Sequence, residues 1–177
     1  MRWTVHGERV VYASPWMSVA LGDVEVPGGD RFEHHVLRMP RPAAGVVVAD
    51  PERGVLLLWR HRWTTDAWGW EIPAGRVEAG EDLAAGAARE VLEETGWRPG
   101  PLTHLVTYHP TSGSSDHTFA CFLATGAEHV GPPTDTAEAE RIAWLPPDRV
   151  RAEVAGGGVV DGLSLTALTW CLAFGLL

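Results

Sequence analysis

Gly75–Trp97 reads GRVEAGEDLAAGAAREVLEETGW, and this stretch decides the fold because it predicts one short helix crowded with acidic residues. Glu90, Glu93 and Glu94 fall in the last turn of that helix, just before Gly96, a residue suited to the left-handed conformation that ends helices. Carboxylates are unfavourable there, because the C-terminal end of a helix already carries a partial negative charge. A bound divalent cation is the simplest compensation for this crowding.

The angular positions of the acidic side chains separate their roles. At roughly 100° per residue, Glu90 and Glu94 project within about 40° of each other, which predicts a metal-binding pair. Arg89 and Glu93 are also four residues apart and predict an internal salt bridge that orients the carboxylates. Hard oxygen ligands favour Mg²⁺, with Mn²⁺ as the alternative. The expected apolar stripe of the helix consists of Leu83, Ala87 and Val91.

Fixed residue types at fixed spacing resemble the Nudix box of the Nudix hydrolases. The matching positions are Gly75, Glu81, Arg89, Glu90, Glu93, Glu94 and Gly96, together with apolar Val91 and Trp97. The resemblance implies an α/β fold, a Nudix-type α/β/α sandwich with a mixed β-sheet, preceded by an N-terminal β-strand segment. It also implies an enzyme that hydrolyses the P–O–P bridge of a nucleoside diphosphate linked to another moiety.

The resemblance implies further roles for individual residues. The backbone carbonyl of Ala74 joins Glu90 and Glu94 as a metal ligand, and Glu93 contacts a further ion. Glu81 binds metal through water or supports the loop before the helix. The general base is expected on the loop ahead of the last core strand, where Glu138 is preferred, Glu140 is the alternative and Glu128 is a distant third.

The segments flanking the box are similar to the ADP-ribose pyrophosphatase branch of the family. They comprise residues 60–62 (Arg-His-Arg), 71–75 (Glu-Ile-Pro-Ala-Gly), 108–116 and 161–165. One departure is that Pro110 stands two places before the position of that branch's proline, which Ser112 occupies here. The resemblance of the flanking segments implies ADP-ribose or a related nucleotide sugar as substrate, and the departure at Ser112 counts against ADP-ribose itself. The alternatives are a nucleoside triphosphate, a dinucleoside polyphosphate, or a non-catalytic module that binds a nucleotide sugar.

Several residues outside the box are candidates for substrate binding. Arg60 and Arg62 alternate at strand period, so both face one side of a strand and predict a fork for phosphate or carboxylate. Trp68 and Trp16 offer flat faces on which a base can stack, although packing is the commoner fate of a tryptophan. Ser112 and Gly113 complete this group, because they lie in the polar loop that resembles the family's downstream loop.

The resemblance implies two parts: residues 1–40 as an N-terminal β segment that could serve in dimerisation or substrate capping, and residues 41–177 as the Nudix domain. Strands are predicted at 9–13, 17–26, 32–38, 44–49, 55–61, 105–108, 118–124 and 140–145, and helices at 82–95, 148–154 and 163–174. Residues 109–117 and 125–139 are predicted to be long loops.

Composition limits the binding partners and the cellular compartment that we expect for the protein. A net charge of −9 argues against general binding of nucleic acid or of acidic membranes. The final apolar segment is too short and too polar to span a membrane, and residues 1–10 lack the apolar core expected of a signal peptide. With only Cys121 and Cys171, two buried thiols in a cytoplasmic protein are favoured over a disulfide. The family resemblance, in turn, implies a small-molecule nucleotide and a second copy of the chain as partners.

Overall fold

A computed structural model describes all residues from Met1 to Leu177 and divides the chain into two compact units. The first unit consists of Met1–Pro42 and His109–Thr118, and the second of Ala43–Tyr108 and Phe119–Leu177. The division at Pro42 lies close to the boundary expected at residue 40, but the sequence did not indicate that His109–Thr118 belongs with the N-terminal strands. The separate roles expected for the two parts of the chain stay a prediction.

The first unit is a three-stranded antiparallel sheet. Its strands are β1 (Thr4–Ala13), β2 (Ser18–Glu25) and β3 (Arg31–Arg38), in the order β1-β2-β3. Segment His109–Thr118 is bonded to the edge of β3, because the Leu37 amide donates to the Ser114 carbonyl at 2.8 Å and the Asp116 amide donates to the Leu37 carbonyl at 3.3 Å. The expected loop is therefore fixed along a strand.

The second unit contains a mixed sheet and three helices. Its strands are β4 (Ala43–Asp50), β5 (Gly54–Arg62), β6 (Ala67–Glu71), β7 (Ala74–Arg76), β8 (Trp97–Pro99), β9 (Leu102–Tyr108), β10 (Phe119–Thr125), β11 (Ala127–His129) and β12 (Arg141–Leu145). The helices are α1 (Leu83–Thr95), α2 (Pro147–Gly156) and α3 (Gly162–Ala173). The main sheet has the order β12-β5-β4-β10-β9, with β6 paired to β5 and β7 paired to β4, while β8 and β11 form a separate pair.

Helices cover both faces of the main sheet. Strand β4 shows why: Val46 and Val48 pack in one core cluster with Val91 of α1, whereas Val47 packs in the other with Leu168 of α3. Alternate residues of a strand point to opposite faces, so a continuous apolar run fits a strand buried on both sides. The predicted α/β/α sandwich with a mixed sheet is confirmed. None of the three helices has the length and apolar character needed to cross a membrane.

Four strands, β6, β7, β8 and β11, were not predicted from the sequence, and β1 begins at Thr4 where the prediction began at residue 9. Ala67–Glu71 forms strand β6 by pairing with β5. The sequence indicated only a cluster of tryptophans there, because this pairing joins residues that no local pattern connects. Strand β11 lies inside the expected loop 125–139 and pairs with β8. Strands β8 and β11 have three residues each, too few for a periodic pattern.

Both cysteines are buried and carry free thiols, as the sequence predicted. Burial raises the pKa of the Cys121 thiol to about 12 and that of the Cys171 thiol to about 11. A thiol reacts through its thiolate, so both groups are protected by inaccessibility and by protonation.

We predict that the native protein will not react with Ellman's reagent at pH 8 and that two thiols per chain will react after unfolding in guanidinium. The absorbance of the released thionitrobenzoate measures both values. Rapid stoichiometric labelling of the native protein would contradict the packing described for Cys121 and Cys171.

Candidate active site

Helix α1 presents the acidic side chains, and both of its ends are defined by specific contacts. Asp82 is the N-cap: its Oδ1 accepts the amide of Ala84 at 2.9 Å. Gly96 ends the helix in the left-handed region, with φ of 73°, and donates its amide to the Leu92 carbonyl. The predicted helix end is confirmed, and the predicted apolar stripe lies in the core.

Glu94 is a buried carboxylate, with only 4% of the residue exposed. Its Oε1 accepts from Arg60 Nη1 at 3.1 Å, and its Oε2 accepts from the Ala74 amide at 2.9 Å. Burial raises the pKa of Glu94 to about 7, while the Arg60 charge and the Ala74 N–H oppose this rise. Glu94 is therefore held in one orientation, but its two hydrogen-bond partners only partly replace the hydration that the carboxylate loses on burial.

Glu90 lies one turn before Glu94 and approaches the same backbone segment. A Cβ added to Gly75 would overlap the Glu90 carboxylate, so residue 75 has to be glycine if that carboxylate keeps its place. Burial raises the pKa of Glu90, against the opposing effect of Arg89. The structure thus brings Glu90 and Glu94 together at Ala74–Gly75, as the sequence predicted for a metal-binding pair.

Arg89 binds three carboxylates and one carbonyl. Its Nη1 donates to Glu93 Oε2 and to Glu90 Oε1, both at 2.8 Å, and its Nε and Nη2 donate to the two oxygens of Glu81 at 3.0 and 3.1 Å. Its Nη2 also donates to the Arg76 carbonyl at 3.1 Å. The predicted Arg89–Glu93 pair is present within a wider brace that ties the helix to the preceding loop.

The hydrogen bonds of Glu81 fit the role of supporting the loop before the helix. Besides the bidentate contact with Arg89, its Oε2 accepts the amide of Glu78 at 2.8 Å. These bonds lower the pKa of Glu81, with the Arg89 hydrogen bond as the larger cause. Glu81 consequently fixes the start of the box against the middle of α1.

Arg60 and Arg62 lie on the same face of β5, as their spacing predicted. Arg60 is buried and contacts Glu94, Glu71 at 3.8 Å and Glu138. Arg62 is less buried and donates from Nε to Glu71 Oε1 at 2.9 Å. Both guanidinium groups therefore pair with carboxylates of the protein, and their contact with substrate stays a prediction.

Glu71 is a site residue to which the sequence assigned no role. It is 2% exposed and pairs with both Arg60 and Arg62, so it holds the two guanidinium groups on the face of the sheet next to Glu94. The only signal for it was its place in the Glu-Ile-Pro-Ala-Gly segment. Its burial depends on β6, which the sequence did not predict as a strand.

The three candidates for the general base lie in different surroundings. Glu138 reaches the guanidinium of Arg60. Glu140 is exposed just before β12, and its amide donates to the Trp59 carbonyl at 3.0 Å. Glu128 is exposed on β11 and pairs with Arg98 at 3.0 Å. Of the three carboxylates, Glu138 is the one in contact with the network around Glu94.

Trp68 lies on the opposite face of the sheet from Arg60 and Arg62. In the β5–β6 register it is paired with His61, whose side chain alternates with those of its two arginine neighbours. The Trp68 ring stacks on Trp59, with centroids 6.1 Å apart. Trp68 is nevertheless 47% exposed, so its contact with substrate stays a prediction.

The remaining predicted substrate residues belong to the first unit. Trp16 is exposed, and its amide donates to Ser14 Oγ at 3.2 Å. Ser112 and Gly113 line a cavity of about 540 Å³ between the three-stranded sheet and segment 109–116. The Gly113 carbonyl is 2.7 Å from His34 Nε2.

The donor set near Ala74–Gly75 fits a hard divalent cation in its chemistry. Glu90 and Glu94 supply carboxylate oxygens beside a stretch of backbone kept open by Gly75, and the raised pKa of both carboxyls indicates incomplete compensation. No group of three or more His, Cys, Asp or Glu side chains is placed so that its members alone could hold a metal ion. A complete ligand set therefore needs backbone oxygen or water in addition to the two carboxylates.

Comparison with known proteins decides the family. The NUDIX domain model matches residues 39–161, which include the whole box. The chain belongs to the Nudix family. It is a Nudix pyrophosphohydrolase that resembles ADP-ribose pyrophosphatases, and the site built around Glu90 and Glu94 is its candidate active site.

Individual relatives support this assignment. The chain is 43% identical to a CMP-5'-(N-acetyl-N-hydroxy-3-aminopropyl)phosphonate hydrolase of Streptomyces rubellomurinus, over 99% of this chain and 84% of that protein. It is 30% identical to an ADP-ribose pyrophosphatase of Mycobacterium tuberculosis, over 82% of this chain and 71% of that protein. A crystal structure of an ADP compounds hydrolase superposes with a TM-score of 0.86 at 18% identity, over 98% of this chain and 94% of that one, which shows the shared fold.

We predict that Gly75→Ala will weaken Mn²⁺ binding at least about 10-fold while the protein stays folded. The new methyl group meets the flexible end of Glu90, so the carboxylate moves and the backbone does not have to. Titration followed by the electron paramagnetic resonance of free Mn²⁺ measures the affinity, and circular dichroism monitors folding.

The matched control is Gly156→Ala at the end of α2, where a Cβ meets no atom within 4 Å. This variant should bind Mn²⁺ like the wild type. Unchanged affinity in Gly75→Ala would show that the position of Glu90 beside Gly75 does not matter for metal binding.

Proposed function

We propose that the protein is a Mg²⁺-dependent enzyme that hydrolyses the P–O–P bridge of a nucleoside diphosphate linked to another moiety. The observation that carries the proposal is the convergence of Glu90 and Glu94 on the Ala74–Gly75 backbone. Nudix enzymes generally use divalent metals such as Mg²⁺, and these carboxylates with the Ala74 carbonyl would hold one here. Glu93 would contact a further ion, and Mn²⁺ would substitute for Mg²⁺.

The bound metal would offset the charge of the pyrophosphate and acidify the attacking water. The residues of the chain supply orientation and proton transfer. Arg60 presents a fixed guanidinium next to Glu94, where it can stabilise a phosphoryl oxygen by charge-assisted hydrogen bonds. Glu138, in contact with that guanidinium, would accept the proton of the water.

Two substrate types follow from the relatives. Similarity to the ADP-ribose pyrophosphatase of M. tuberculosis, together with the segments flanking the box, supports ADP-ribose or a related nucleotide sugar. The higher identity to the S. rubellomurinus hydrolase supports a second candidate, a CMP conjugate of a phosphonate. In both, a nucleoside monophosphate is joined to another group, so release of AMP or CMP reports the reaction.

A substrate panel with Mg²⁺ tests the proposal. Wild-type protein should release a nucleoside monophosphate from ADP-ribose, from another nucleotide sugar or from the CMP–phosphonate conjugate, as measured by liquid chromatography. Glu94→Gln should lower kcat about 1,000-fold, because a metal ion supplies several kcal/mol of charge stabilisation. The matched control, Glu52→Gln in the exposed β4–β5 turn, should keep full activity.

The alternatives give different results in the same panel. Turnover of only nucleoside triphosphates or dinucleoside polyphosphates would move the enzyme to another Nudix substrate class. Tight binding of a nucleotide sugar without release of any nucleoside monophosphate would identify a binding module and refute the catalytic proposal.

We also propose a homodimer formed through the first unit. Every residue of β1 is exposed, and ten large hydrophobic residues within Met1–Leu37 are exposed. Apolar surface concentrated in this way is typical of interfaces between proteins. A second copy is the partner that the family resemblance implies.

We predict a mass of two chains in solution by size-exclusion chromatography with light scattering. Val10→Asp in β1 should shift the protein towards one chain. Val130→Asp replaces a comparably exposed valine of the second unit and should leave the mass unchanged. A wild-type mass of one chain at micromolar concentration would refute the dimer.

A cytoplasmic location is part of the proposal. It is supported by the two free, buried thiols, which suit a reducing compartment. Fractionation of the producing cells tests the cytoplasmic location. Recovery of the protein in the periplasmic or secreted fraction would contradict it.

A further inference from the structure

The segment that carries Glu138 is bonded directly to the C-terminal end of the box helix. The amides of Thr134 and Asp135 both donate to the Glu93 carbonyl, each at 3.0 Å. This carbonyl lies in the last turn of α1, where the helix itself offers no donor, because the Trp97 amide donates to Thr95 Oγ1 at 3.0 Å instead. The segment thus supplies the hydrogen bonds that the end of the helix lacks.

Further backbone bonds fix the segment on either side of this contact. The Val130 amide donates to the Gly96 carbonyl at 2.9 Å, and the Glu140 amide donates to the Trp59 carbonyl at 3.0 Å. Glu138 therefore lies on a short span between an anchor on α1 at Asp135 and an anchor on β5 at Glu140. The length and shape of that span determine how far the Glu138 carboxylate extends towards Arg60.

Asp135 shapes the span by a bond of its own side chain. Its Oδ1 accepts the amide of Ala137 at 3.3 Å, a local turn of the kind that aspartate and asparagine make with the backbone two residues on. The residue therefore contributes twice: its amide binds the helix end, and its side chain turns the chain towards Glu138.

We propose that Asp135 is a positioning residue, whose side chain holds the Glu138 carboxylate at the active site by accepting the Ala137 amide. The clamp is formed by the backbone amides of Thr134 and Asp135, which bind the segment to the end of α1. The inference rests on the proposed function, in which Glu138 is the general base. Since Glu93 and Glu94 are adjacent in sequence, the clamp links the segment of the base to the helix turn that carries the candidate metal ligand. Asp135 acts through the acceptor oxygen of its side chain, and its negative charge is not required.

This mechanism distinguishes two substitutions at one position. Asp135→Ala removes the acceptor, and Asp135→Asn keeps an oxygen that can accept the Ala137 amide while removing the charge. The amides of residues 134–140 should exchange with deuterium about 10-fold faster in Asp135→Ala than in wild type. Asp135→Asn should exchange at the wild-type rate, as measured by mass spectrometry of peptides from the free protein.

Kinetics supply the second measurement, with Mg²⁺ and the panel substrate that the wild type turns over fastest. A general base contributes about 10²- to 10⁴-fold and loses much of this when displaced by about 1 Å. Asp135→Ala should therefore lower kcat about 10- to 100-fold with KM changed less than about 2-fold. Asp135→Asn should keep kcat, as should the control Asp148→Ala at the exposed start of α2.

The outcomes separate this inference from the proposed function. Equal losses in Asp135→Ala and Asp135→Asn would show that the charge of Asp135 matters and would overturn the positioning role. Unchanged exchange in Asp135→Ala would overturn the positioning role of the Asp135 side chain, whatever the substrate. Absence of turnover in the wild type would refute the proposed function, whereas the exchange measurement would still decide whether Asp135 holds the segment.

Discussion

The buried carboxylate of Glu94 is the constraint on which the rest of the site depends. An ionised carboxylate removed from water costs several kcal/mol unless charge and hydrogen bonds compensate it. The chain supplies the buried guanidinium of Arg60 and the amide of Ala74. Arg60 in turn requires further acceptors, which Glu71 and Glu138 provide. One buried charge thereby fixes residues from α1, β5, β6 and the segment before β12.

Arg89 compensates the charge of the carboxylates that are more exposed than Glu94. Its five N–H donors bind Glu81, Glu90, Glu93 and the Arg76 carbonyl, a set that the single ammonium of lysine could not satisfy with the same fixed geometry. The end of α1 can carry three glutamates because two arginines offset their charge: Arg89 pairs with Glu90 and Glu93, and Arg60 pairs with Glu94. Burial raises the pKa of Glu94 despite the opposing effects of Arg60 and the Ala74 amide, so a further cation nearby would favour the ionised carboxylate.

Local pattern determined what could be predicted from the sequence. Asp82, Gly96 and the stripe through Val91 are encoded within one helix, so both helix ends and the core-facing side of α1 followed from spacing. The role of Glu71 and the orientation of Trp68 depend on β6, whose pairing with β5 joins residues that no periodic pattern connects. In the same way, spacing could not separate Glu138 from Glu140, because the path of the segment is decided by its bonds to the Glu93 and Trp59 carbonyls.

The proteins that this chain resembles bear names that differ in the nucleotide, and one of them shares the fold at low sequence identity. An ADP compounds hydrolase keeps this fold with a TM-score of 0.86 at only 18% identity, so few side chains are needed to specify the sandwich. Two closer relatives bear names that differ in the nucleotide, CMP in one and ADP in the other. The carboxylates of the box act on phosphate and metal and do not contact a base in the chemistry proposed here. Selection of the nucleotide therefore has to come from residues outside the box, and the clamp at Asp135 can serve the reaction without depending on which nucleotide is bound.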